Sequence, residues 1–251
     1  WLHVFGHGIV DTPGDFGKAG APPSHPELLD WLASEFVSGG WSAKKTIRLL
    51  VTSAAFRQSS APNATAAQID ADARLLWRFP PRRVEAEVLR DAALAVAGTL
   101  DPTMGGPGFR IHADKKRYEG WKVVDNAGPG TWRRMIYQES MRGIDDRMFT
   151  AFDRPECGQV TPKRTLSTTP LQALNLFNGD FILTQADKFA ARVQRETGAD
   201  ADAQIKRAFA LAFSRAPTDS ETRAALALTA ADGLPALCRV LLNANEFAFI
   251  E

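Results

Sequence analysis

The sequence predicts a mainly α fold: a multi-helix single domain over residues 1–251, with a small irregular or β insertion at about 98–165. Three observations predict it. Apolar residues recur at three- and four-residue intervals through the first and last thirds of the chain. Ser, Thr and Asp residues precede those runs and glycines end them. The middle stretch alone breaks the pattern, with GGPGF and DNAGPG among aromatic and basic residues.

Taken in order, the chain opens on WLHVFGHGIV, where Trp1, Leu2 and Phe5 fit one face of a helix already under way. The chain therefore reads as a piece of a longer protein. Asp15-Phe16-Gly17 comes next. In kinases this tripeptide holds magnesium together with an upstream His-Arg-Asp and a strand lysine, and neither is present. The expectation is a turn in which Asp15 accepts backbone amides, Phe16 plugs the core, and Gly17 or Gly20 takes a positive φ. Ser24 and Glu27 then have capping-box spacing, and Pro26 suits a first helical turn. Leu28, Leu32 and Phe36, with Leu29 beside them, give that helix its apolar face, and Gly39-Gly40 stops it. Ser42 caps the next helix, whose face is Ile47, Leu50, Val51 and Ala54.

A polar loop is expected from Ser59 to about Ala67. Two helices are expected after it, DADARLLWRF and RRVEAEVLRDAALAVAG, with Pro80-Pro81 as the break. In the insertion, FRIH, WKVV and WRRMIYQ suggest strands or extended loops. Beyond it, Thr168 or Thr169 caps PLQALNLF, and Asn178-Gly179 ends it. Asp180 starts a helix with Ile182, Ala186, Phe189 and Val193 on one side. Ile205, Ala208, Phe209, Ala212 and Phe213 mark the clearest amphipathic helix. Thr218 or Asp219 caps another, and LPALCRVLLNANEF closes the set.

The net charge of +1 supplies no overall basic field for nucleic acid. No apolar run reaches the roughly 18 residues of a membrane helix. Cys157 and Cys238 have no partner at metal or redox spacing, and a disulfide and two buried free thiols both fit.

The segments WLHVFGHGIVDTPGDFG, SHPELLDWLASEF, VTSAAFRQSS, RRVEAEVLRDAALAVAG, FDRPE, STTPLQALNLFN and LLNANEF come in one order across nearly the whole chain. Together they resemble the C-terminal planctomycete-specific domain found in large planctomycete surface or periplasmic proteins. His7 stands where that family's pattern has Arg between two glycines. The family has no established activity. The resemblance implies export to the periplasm or cell surface, an upstream c-type cytochrome-like segment carrying haem, and a second planctomycete-specific domain upstream. No cofactor is expected within residues 1–251.

Chemistry is concentrated on RRVEAEVLRDAALAVAG. Helical spacing puts Val84, Val88 and Ala95 on one face with Asp91, and Glu87 beside it. Carboxylates among aliphatic side chains need partners, and the arginine fork satisfies both oxygens. Arg82, Arg83 and Arg90 are local candidates; Arg57, Arg133, Arg134 and Arg164 would come from other segments. Two readings follow. One is a buried structural ion-pair network. The other is a cleft in which Glu87 and Asp91 act as an acid/base or metal-binding pair.

WRRMIYQES and PKRTLSTTPLQ are expected to bring Arg133, Arg134, Lys163 and Arg164 near a helix N-terminus, a place that suits an anion such as sulfate, phosphate or carboxylate, and in an envelope protein an acidic or sulfated polysaccharide. Ser167 has no assignable His-Asp relay. His3 and His7 have i, i+4 spacing, but no third zinc ligand can be assigned, so no metal site is expected. Trp121, Trp132, Tyr118 and Tyr137 suit either sugar stacking or packing of a loop-rich lobe. With no complete catalytic set, the expected role is a scaffold or binding module for a haem-bearing domain or an envelope polysaccharide. The alternative is a carbohydrate-active enzyme with Glu87 and Asp91 as its carboxylates and Arg133, Arg134 or Arg164 orienting an acidic substrate.

Overall fold

The computed structural model describes residues 1–111, 128–140, 151–155 and 160–250. The mainly α fold is borne out: the described strands form only one two-stranded ladder, β1 (Arg82–Arg83) with β2 (Phe249–Ile250). No described helix is long and apolar enough to cross a membrane. The chain divides into two compact units, Trp1–Arg82 joined by Phe249 and Ile250, and Arg83–Ala248.

The first unit begins with one helical turn, α1 (Leu2–Phe5), ended by Gly6 at φ 83°. That left-handed residue leaves His7 outside the helix, so His3 and His7 do not share a helical face. No group of three or more metal-ligating side chains occurs among the described residues. Asp15-Phe16-Gly17 is a turn, as expected: Asp15 Oδ1 accepts the Gly17 N–H at 2.7 Å. Two details differ. Phe16 is 79% exposed rather than plugging the core. Neither Gly17 nor Gly20 has a positive φ; Gly20 is needed because a Cβ there would sit 2.2 Å from the Asp15 carbonyl oxygen.

Helix α2 (Pro26–Ser38) is capped at His25, and the Ser24–Glu27 capping box does not form. The Ser24 hydroxyl donates instead to Ile9 O at 3.2 Å. Ser42 caps α3 (Ala43–Thr52) as expected, accepting from the Lys45 N–H at 3.4 Å. The core is Phe5, Leu50 and Phe79, with Trp1, Val4, Leu32, Phe56 and Leu76 packed against it. Of the face expected on α3, only Leu50 is buried; Ile47 and Val51 face solvent.

Asn63 caps a short helix, α4 (Ala64–Ile69), where a loop was expected. Residues 70–79, expected to be helical, are turns. The Asp70 carboxylate accepts the Arg74 and Leu75 N–H groups at 3.0 and 2.8 Å, and Asp70 O accepts the Trp77 indole at 2.8 Å. A short acidic side chain here outcompetes the helical ladder for the same amides.

The second unit is built on α7 (Asp180–Thr197). It packs against α5 (Ala86–Ala97), α6 (Pro170–Asn178), α8 (Ala201–Phe213) and α10 (Leu234–Leu242). Ile182, Ala186, Phe189 and Val193 are all buried, the stripe its periodicity predicts. Thr169 and Thr218 form full capping boxes, with Gln172 on α6 and Glu221 on α9 (Asp219–Asp232). A last short helix, α11 (Asn245–Ala248), precedes β2. Cys238 is a buried free thiol whose pKa burial pushes up, while Cys157 lies outside the described residues.

Helix α5 starts at Ala86, because Arg82 and Arg83 are extended in β1. It ends at Gly98, φ 74°, and the Arg192 guanidinium donates to Ala95 O and Val96 O at 2.9 and 2.8 Å. Its buried face is Ala86, Leu89, Arg90, Ala93, Leu94, Val96 and Ala97. This overturns the expected face: Val88 is 50% exposed and Ala95 is exposed, so Asp91 borders the solvent side.

Between α5 and α6 the described backbone is irregular. It has isolated bridges between Asp101 and Arg133 and between Phe109 and Gln138, plus single 3₁₀ turns at Pro129–Thr131 and Met135–Tyr137. The segment WRRMIYQ therefore forms turns and bridges rather than a strand. Residues 121–124, His112, Tyr118 and Trp121 lie outside the described residues.

Candidate functional site

The polar side chains of α5 meet residues of the irregular lobe and of the approach to α6. Among the described residues the most buried charge is Arg90, its side chain 3% exposed. It donates through Nη2 to Thr131 O. Through Nη1 it donates to Arg133 O at 2.9 Å and reaches Asp91 Oδ1 at 3.4 Å. Its guanidinium carbon lies 5.2 and 5.4 Å from the ring centres of Phe109 and Phe181. One arginine thus satisfies main-chain acceptors in a lobe whose described residues form only isolated bridges.

Asp91 Oδ1 also accepts the Met135 N–H at 2.8 Å. Burial raises the Asp91 pKa, and it outweighs the lowering by that N–H and by the charges of Arg90 and Arg134. Glu87, one turn earlier, goes the other way. Burial again acts to raise its pKa, but the Arg164 hydrogen bonds, a backbone hydrogen bond and the charges of Arg164 and Arg154 together hold it below the usual range. Arg164 grips Glu87 with both arms of its fork, Nη1 to Oε2 at 2.7 Å and Nη2 to Oε1 at 3.0 Å. Glu85 lies 3.6 Å from the same guanidinium, and Arg154 Nε stands 4.0 Å from Glu87 Oε1.

Arg83, 4% exposed, donates to Asp153 Oδ2 at 2.5 Å and to Phe152 O at 3.3 Å. Burial lowers its pKa, with Asp153 opposing. Asp153 also accepts the Ser167 N–H at 2.8 Å and the Ser167 hydroxyl at 2.7 Å. Gln172 closes the knot, donating to Ala151 O and Ser167 O at 2.9 and 3.0 Å. Ser167 therefore faces a carboxylate already bound to an arginine. The described part of this unit contains no histidine to complete a relay.

The remaining arginines separate. Arg133 wraps residues 103–107, donating to the Thr103 carbonyl at 3.0 Å and to the Gly105 and Pro107 carbonyls at 2.5 Å each. It also covers the Tyr137 ring at 3.9 Å, which takes that face away from sugar stacking. Arg134 is exposed, and its charge acts on Asp91. Arg57 belongs to the other unit, is exposed, and has no ion pair among the described residues.

Sequence reasoning missed Asp153 and Arg154 as members of this cluster. The signal was present in FDRPE, an acid and an arginine beside a proline in the middle of a glycine-rich stretch.

No curated protein and no solved structure matches the chain. The family model PSD1, described as a protein of unknown function (DUF1553), matches residues 1–229. With that match covering most of its 251 residues, the chain belongs to the PSD1 family.

Proposed function

We propose that the chain is a non-catalytic binding module of an exported multidomain protein. One observation carries this reading. The guanidiniums of Arg83, Arg90, Arg133 and Arg164 all bind carboxylates or main-chain carbonyls of their own unit. Such bonding ties the described part of the irregular lobe to α5, which suits recognition more than turnover. The ligand face is the solvent side of α5, where Arg134 and the arm of Arg154 flank Asp91 and Glu87. Cations on a rigid rim suit an acidic envelope polysaccharide.

The resemblance to the planctomycete-specific domain supports a periplasmic or cell-surface setting and a haem-bearing upstream neighbour. A glycan array tests the ligand: sulfated or uronate-rich oligosaccharides should bind, more weakly in high salt and in Arg134→Ala. An array with no salt-sensitive acidic hit sinks the polysaccharide reading. For the neighbour, deleting this module from the full-length protein should shift the haem spectrum or potential; an unchanged spectrum and potential rejects that partnership.

A second reading has one specific support. Glu87 and Asp91 occupy adjacent turns of one helix, yet their pKa values are pushed in opposite directions. That is how an acid and a base share a site. Hydrolysis of an acidic oligosaccharide that disappears in both Glu87→Gln and Asp91→Asn, with binding retained, would favour this enzyme over the binding module.

A further inference from the structure

We draw no further inference here: the strongest candidate, the groove between α2 and α3 lined by Leu32, Glu35, Phe36, Lys45, Thr46 and Leu49, carries nothing because nothing in the structure shows what covers it.

Discussion

Replacing Arg90 with Met removes the charge that joins α5 to the irregular lobe while keeping an unbranched side chain of similar length. Thr131 O and Arg133 O each lose a charged donor inside the protein. A hydrogen bond to a charged group contributes about 1.5–3 kcal/mol, so the two together amount to roughly 3–6 kcal/mol. The desolvation of the guanidinium is relieved at the same time, which returns about 1–4 kcal/mol. Contact with the Phe109 and Phe181 rings is largely retained, because a thioether also packs well on aromatic edges. Taking the middle of each range, the net expectation is a loss of about 2 kcal/mol, or a fall in Tm of roughly 4–8 °C for a chain of this size.

Urea unfolding followed by far-ultraviolet circular dichroism gives the stability, and amide hydrogen exchange gives its location. The amides of Asp101, Phe109 and Glu139, which bond within the lobe, should lose protection. Those of α7 should lose less. Arg90→Lys should fall between, since an ammonium keeps the charge but cannot span two carbonyls as the fork does. If Arg90→Met changed stability by less than about 0.5 kcal/mol and left lobe protection intact, the idea that this arginine ties the lobe down would be refuted.

The two carboxylates of α5 should respond oppositely to pH. The folded-state pKa of Glu87 is depressed, so its stabilisation is present above the unfolded carboxylate value and lost as pH falls through the folded one; Glu87→Gln should cost about 1–3 kcal/mol at neutral pH and flatten that acid limb. The folded-state pKa of Asp91 is raised, so its stabilisation is present below the unfolded value and lost as pH rises through the folded one. Asp91→Asn, whose amide oxygen can still accept the Met135 N–H, should be neutral or stabilising at neutral pH, read from urea midpoints between about pH 3 and about pH 7. Gly98→Ala should cost about 1–2 kcal/mol in thermal melts, because the site has φ 74° and a Cβ would meet Arg192 Cδ at 3.0 Å. Thr169→Ala should cost about 1 kcal/mol in the same melts through loss of its capping box with Gln172.

The C-terminal helices were legible in detail. The caps at Thr169 and Thr218 and the stripe Ile182, Ala186, Phe189 and Val193 appear where spacing put them. Where reading failed, a close competitor existed. On α5 the alanine-rich sequence offers two apolar stripes of the same period, and the one that is buried carries Arg90. At residues 70–79 the composition suits a helix, yet Asp70 captures the amides that the helix would need. On α3 the apolar spacing was real, but Ile47 and Val51 found no second layer in their own unit.

Local chemistry in the chain therefore dictated that helices form, where most begin and end, and that acids on α5 need cations. It could not choose the cation. Arg164 reaches Glu87 across 77 positions, and Arg83 reaches Asp153 across 70. Caps and stripes depend on neighbours within about four residues, which any stretch of sequence displays. Pairing across such distances depends on which surfaces the packed helices bring together. Only the folded chain settles that, and with it whether each charge ends up buried or in water.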